Sequence, residues 1–183
     1  MYTHGKEDRF VSHRIREEGI WEPHETSLIL DLLQPGDTFL DVGANIGYFS
    51  ILAAAAVGEA GHVIAYEPDP ENYRLLQTNV ELNALRSRVI SSAAALSDAD
   101  GEGRLYLSAD NLGDHQVYAG CEERRSVPIR LVRGDNDLVQ TLSRLDLVKV
   151  DTQGAEFRVI SGLFLLLQKF RHRYLEVGSR RPQ

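Results

Sequence analysis

Three short stretches carry residues whose types and spacing suit chemistry. In Asp41-Val-Gly43-Ala44-Asn45-Ile-Gly47, glycines at two positions remove Cβ atoms so that backbone can approach a ligand. Asp41 offers a carboxylate suited to a cationic amino group, such as that of a methionyl ligand, or to a bridging water. A dinucleotide fingerprint needs G-x-G-x-x-G, whereas Asn45 stands two residues after Gly43 and Tyr48 follows Gly47. The second stretch is Glu67-Pro68, where an acidic side chain ending a strand can accept both hydroxyls of a ribose. That supports an adenosine-containing cofactor without choosing between nicotinamide and other kinds. The third is Lys149-Val-Asp151-Thr-Gln-Gly154-Ala-Glu156. Lys149 lies inside an apolar strand, where an unpaired ammonium is costly, so it needs a carboxylate partner, Asp151 or Glu156. Asp151 and Glu156 either border the reacting atoms or form a structural ion pair and a charge at a helix start. In the polar excursion His115 is a candidate base or a solvated loop histidine, with His24 read under the same caution. Asp110, Asp114 and His115 lack metal-ligand spacing, and no metal is expected.

The elements that position these groups follow from hydrophobic period. Leu28, Ile29, Leu32 and Leu33 recur at helical spacing before the breakers Gln34-Pro35-Gly36-Asp37. Strands are predicted at 38–42, 62–66, 88–96, 145–150 and 171–177, with helices from about Asn45 to Val57, from Asp69-Pro70 to about Asn83, and over 155–161. Asp69 is expected to cap and Pro70 to take the first helical position. Alternation of short apolar runs with amphipathic segments predicts an α/β fold, a mostly parallel sheet with helices on both faces. Residues 101–107 and 126–132 read as an antiparallel pair bracketing the excursion 108–125, a candidate lid or acceptor loop. Residues 1–19 read as a loose or partly helical arm without chemistry, residues 1–36 as lead-in, and 37–177 as the core of one domain spanning 1–183.

The totals narrow the classes. Twenty basic against 27 acidic residues leave a net charge of -7, which disfavours nucleic-acid backbones and anionic membranes. A lone cysteine, Cys121, and a polar beginning predict a cytoplasmic location, and no apolar run is long enough to span a bilayer.

Together, Phe39 to Gly47, Tyr66-Glu-Pro68, Leu96-Ser-Asp98, Val127-Pro-Ile-Arg130 and Lys149 to Glu156 resemble the FkbM family of methyltransferases over roughly residues 21 to 177. The resemblance implies a Rossmann-like fold and S-adenosyl-L-methionine as cofactor. It implies methylation of a hydroxyl on a small metabolite or glycan. It carries Asp41, Gly43, Ala44, Asn45 and Gly47 over as cofactor loop, Glu67 and Pro68 as ribose end, and Ser92 and Ala93 as residues near the adenine. Asp151, Glu156 and His115 are the candidate catalytic residues. Members of this class continue into an antiparallel hairpin after the fifth strand, whereas this sequence stops at Gln183. The expectation is a strand-five edge open to pairing with a second copy. A catalytically silent module of the same fold is the alternative, and a nicotinamide oxidoreductase the weaker one.

Overall fold

The computed structural model describes residues 1–5, 8, 10–108, 117, 125–170 and, for the backbone alone, 173–176. In chain order the elements are α1 (Val11–Glu18), α2 (Pro23–Leu32), β1 (Thr38–Val42), α3 (Tyr48–Ala56), β2 (His62–Tyr66), α4 (Pro70–Leu82), β3 (Val89–Ser92), β4 (Ala95–Ser97), β5 (Gly101–Tyr106), β6 (Ser126–Arg133), α5 (Gly134–Leu138), β7 (Leu147–Val150), α6 (Glu156–Gly162), α7 (Phe164–Lys169) and β8 (Arg173–Glu176).

The main sheet is parallel throughout, in the order β3-β2-β1-β7-β8. β1 is buried at every position because both its faces are covered. Phe39 packs with Ala53, Ala54 and Leu76 on the side of α3 and α4. Leu40 and Val42, pointing the other way, pack with Leu138, Val159 and Leu163 on the side of α5, α6 and α7. The predicted sheet and its two helical layers are therefore present.

Asp69 caps α4 as expected, its side chain accepting from the amides of Glu71 (2.9 Å) and Asn72 (2.8 Å), with Pro70 in the first turn. β5 and β6 form the expected antiparallel pair.

β7, β8 and α6 shift by one or two residues from the predicted bounds, and two differences are larger. α3 starts at Tyr48 rather than Asn45, because Asn45 (φ 52) and Gly47 (φ 87) are left-handed and hold the turn open. The predicted strand 88–96 is two strands. β3 ends at Ser92, and after a break at Ala93 and Ala94 the chain crosses to a three-stranded sheet, where β4 pairs in parallel with β6. Small neutral residues from Ser91 to Ala95 carry no period that marks the crossing. At the beginning the partly helical alternative holds, with α1 over Val11–Glu18, and the arm is packed down where it is described. The Tyr2 amide donates to Asn79 Oδ1, His4 Nε2 lies 2.6 Å from Asn72 Oδ1, and Val11 packs with Ile46 and Leu75. This segment lies across α4 and the turn before α3.

The two sheets meet where α6 crosses β4. A Cβ on Gly162 would lie 1.8 Å from the Ser97 carbonyl oxygen, so only glycine permits that approach. Gly162→Ala is expected to destabilise the fold by at least about 2 kcal/mol through overpacking, read as a lower urea midpoint with unchanged slope.

Candidate functional site

β1 and β7 are neighbours, yet the chain leaves β1 towards β2 on one side and β7 leads to β8 on the other. Strand order thus reverses between them. In open α/β sheets a crevice forms at the carboxyl ends of such strands, and ligands bind there. The three sequence stretches converge on this point, joined by the ends of β2 and β3.

The turn after β1 is held from within. The amides of Gly43 and Ala44 both donate to the Tyr66 carbonyl (3.0 Å each), Asn45 to Glu67 Oε2 (2.7 Å), Ile46 to Asn45 Oδ1 (2.6 Å) and Gly47 to the Ala44 carbonyl (2.9 Å). Every amide from 43 to 47 is therefore occupied, and none is left to cradle a phosphate. The glycines serve protein packing. A Cβ on Gly43 (φ 79) would lie 1.9 Å from the Asp151 carbonyl oxygen, and one on Gly47 would lie 3.2 Å from Leu76 Cδ1. Protein atoms alone therefore require glycine at 43, beside any approach of a ligand to the backbone.

Lys149 finds its partner across the sheet. Asp41 and Lys149 are in register on adjacent parallel strands, so their side chains share a face. Lys149 Nζ donates to Asp41 Oδ1 at 3.4 Å and lies 3.9 Å from Asp151 Oδ2, with both members of the closer pair fully buried. Its partner is thus Asp41 first, and not Glu156. Asp41 is no free carboxylate, since Ser50 Oγ donates to its other oxygen at 2.6 Å. The Phe49 ring centroid lies 5.0 Å from Nζ and adds a cation–π contact. Burial works against the ammonium, but Asp41, Asp151 and Glu22 outweigh it and raise the lysine above its ordinary value. The pair attraction, about 5 kcal/mol at an effective dielectric near 20, only matches the cost of burying two charges. Ser50 and Phe49 tip the balance.

Glu67 is buried at the end of β2, its oxygens accepting from the amides of Asn45 and Asp69 (2.8 Å). Burial pushes its carboxyl up to about 7, against the pull of those hydrogen bonds. The Glu67 amide donates to the Ser92 carbonyl at 3.1 Å, which brings the ends of β2 and β3 together. Pro68 and Ser92 are partly buried and Ala93 is exposed beside them.

Asp151 and Glu156 part company. Asp151 keeps a partly open side chain; burial raises its carboxyl, Lys149 lowers it, and the net direction is up. Gln153 Nε2 donates to its Oδ1 at 2.8 Å. Glu156 instead closes its own turn, accepting from the Thr152 amide (3.2 Å), the Thr152 hydroxyl (3.2 Å) and the Gly154 amide (2.9 Å). Its carboxylate thus fastens the turn between β7 and α6, from the first residue of that helix. His115, and all of the excursion 108–125 except residues 108, 117 and 125, lie outside the described residues.

One residue was missed. Glu22, just before α2, contributes a carboxylate whose charge is felt by Lys149 and whose own carboxyl is raised by burial and then by Asp151. Its only sequence signal was position, an acidic residue immediately before the Pro23 that opens a helix. Of four non-glycine residues with positive φ among the described residues, Glu22, Asn45 and Gln153 lie at this site, where strained backbone tends to gather.

A family model described as the methyltransferase FkbM domain matches residues 41–183. The chain belongs to the FkbM methyltransferase family. Among the relatives, methyltransferase sdnD of Sordaria araneosa is 30% identical over 160 residues, covering 70% of this chain and 61% of sdnD. Hexuronic acid methyltransferase AglP of Haloferax volcanii is 29% identical over 156 residues, covering 83% of this chain and 60% of AglP. The chain thus spans about six-tenths of the length of these relatives. The solved structure of methyltransferase FkbM from Methylobacillus flagellatus has a TM-score of 0.53 at 14% identity, covering 80% of this chain and 38% of that one, and shares its fold. No helix among the described residues is long and apolar enough to cross a membrane.

Two outcomes follow for this FkbM domain. Lys149→Met strands the Asp41 carboxylate and should cost about 3–5 kcal/mol of unfolding free energy, while adding Asp41→Asn should recover more than half of that loss in the same urea titration. Glu67 binds its proton more tightly folded than unfolded, so the stability that proton confers is complete below pH 4.5 and is lost as pH rises through about 7. Unfolding free energy measured from pH 5 to 8 should fall, with Glu67 contributing up to about 3 kcal/mol of the decline, and Glu67→Gln should remove that share.

Proposed function

We propose that this FkbM domain transfers a methyl group from S-adenosylmethionine to a hydroxyl of a small metabolite or glycan. The observation that carries the donor half is the charge balance at the switch point. Carboxylates of Asp41, Asp151 and Glu22 gather there around the ammonium of Lys149, with Glu67 at the end of the neighbouring strand β2. Such a site favours a ligand bearing a sulfonium and an ammonium and repels a pyrophosphate. The fully occupied amides from Gly43 to Gly47 argue the same way, because a dinucleotide needs free donors there.

When bound, this donor supplies a methyl group on positively charged sulfur, transferred by in-line displacement. In this reading Glu67 accepts hydrogen bonds from the ribose hydroxyls through the remaining lone pairs of its oxygens, and the neutral Ser92 and Ala93 border the adenine. The internally bonded turn from Gly43 to Gly47 holds its shape before any ligand arrives. Holding donor and acceptor in near-attack geometry can supply roughly 7–11 kcal/mol of a transfer barrier. Asp151, raised in pKa and partly open at the end of β7, is the group best placed to take the acceptor's proton. The acceptor class draws support from the net charge of -7, which disfavours a polyanion, and from AglP, whose name gives a hexuronic acid as its substrate.

Isothermal titration calorimetry of the purified chain separates the readings. S-adenosylmethionine and S-adenosylhomocysteine should both bind, NAD should give no heat, and Glu67→Gln should weaken the nucleosides by about tenfold or more. Tight NAD binding with no response to either nucleoside would sink the assignment.

A further inference from the structure

Glu22 holds its carboxylate in a place that the rest of the site does not explain. Its backbone is left-handed (φ 43, ψ 74), an uncommon state for a side-chain-bearing residue and more so before proline. The turn is fastened from two sides. The Trp21 side chain hydrogen-bonds the carboxylate, while Thr26 Oγ1 donates to the Trp21 carbonyl at 2.7 Å and lies 3.3 Å from the Tyr48 hydroxyl at the start of α3. The second carboxylate oxygen, Oε2, is buried without a hydrogen-bond partner.

The charges it feels are those of Asp151, just beyond β7, of Glu25 in the helix that follows it, and of Lys149 in β7, which is itself paired with Asp41 of β1. The lysine is already committed, 3.4 Å from Asp41 and 3.9 Å from Asp151. Glu22 and Asp151 ionised together would therefore leave negative charge uncompensated in a partly dry space, which is costly. Burial first, then the charges of Asp151 and Glu25, push Glu22 up to about 7. The free site must take up a proton or a cation.

Resting on the donor assignment above, we infer that Glu22 and Asp151 act as one charge-sensing pair, which carries a proton while the site is free and gives it up when a positively charged donor binds. The pair then distinguishes the sulfonium donor from its neutral thioether product. The proton balance closes over a turnover. As the acceptor oxygen bonds to the methyl carbon, the carbon–sulfur bond breaks with its electron pair left on sulfur, and the pair takes the hydroxyl proton. The site returns to its protonated form just as the sulfur loses its charge, and the attraction that held the donor is gone.

The test is calorimetry at pH 7 in two buffers of different ionisation enthalpy, with S-adenosylmethionine and S-adenosylhomocysteine as the two probes. The amino-acid portion is common to both, so any difference in proton release reports the sulfur charge. Wild type should release up to about one more proton with the methionine form, and affinity for that form alone should rise as pH passes through 7. In Glu22→Gln the difference in proton release should vanish and the preference for the methionine form should narrow by about tenfold. Asp151→Asn should behave alike and serves if the first variant does not fold, as judged by its circular dichroism. Equal proton release by both probes in wild type, or a difference that survives in a folded variant, overturns the inference. Absence of binding by either probe would overturn the donor assignment, and the pair's role with it.

Discussion

The buried ion pair between Asp41 and Lys149 is the constraint around which the rest of the structure is arranged. Both groups sit in register on the two central strands, out of reach of water, and each must be satisfied by protein. Ser50 reaches down from α3 to the second oxygen of Asp41, and Phe49 lays its ring by the ammonium, so the helix that follows β1 is fixed in rotation as well as position. With α3 so placed, Tyr48 meets Thr26 of α2, and the turn carrying Glu22 is brought over the carboxyl edge of the sheet. One electrostatic requirement in the core thereby sets where three further acidic groups can stand around the crevice.

The same pair explains why the site is acidic without being unstable. Lys149 lends its single positive charge to Asp41 at close range and to Asp151 at longer range. Glu67 manages its burial differently, through two backbone amides and an elevated proton affinity. Burial raises the proton affinity of both Glu22 and Glu67 to about 7, so the fold lowers the cost of gathering carboxylates by easing their protonation.

Much of this was legible in the sequence, and the failures have physical causes. The strands at 38–42 and 62–66, the Asp69-Pro70 helix start and the antiparallel pair around the excursion follow from local period and capping, and the structure has them. Lys149 could be recognised as anomalous because a cation in an apolar strand is expensive wherever it occurs. Its partner could not, because the choice of Asp41 depends on the register of two strands separated by 108 residues. The crossing at Ala93 and Ala94 was invisible for a related reason, since both sheets accept small neutral residues. Glu22 has no motif at all; its importance arises from a left-handed turn fastened by Trp21 and Thr26, both tertiary effects. Gly43 was recognised as necessary, but its protein neighbour Asp151 was not, since spacing shows that a side chain is forbidden without showing what forbids it.

That neighbour has a mechanical meaning. The backbone of Gly43 lies so near the Asp151 carbonyl that no atom fits between them, and the Asp151 amide in turn donates to the Val42 carbonyl at 2.9 Å. The turn that follows β1 and the end of β7 therefore behave as one solid piece, like two jaws cast from a single block. Neither can be reshaped alone without prising the other away, so diversification within such a scaffold has to proceed at the periphery, leaving the joint between its halves untouched.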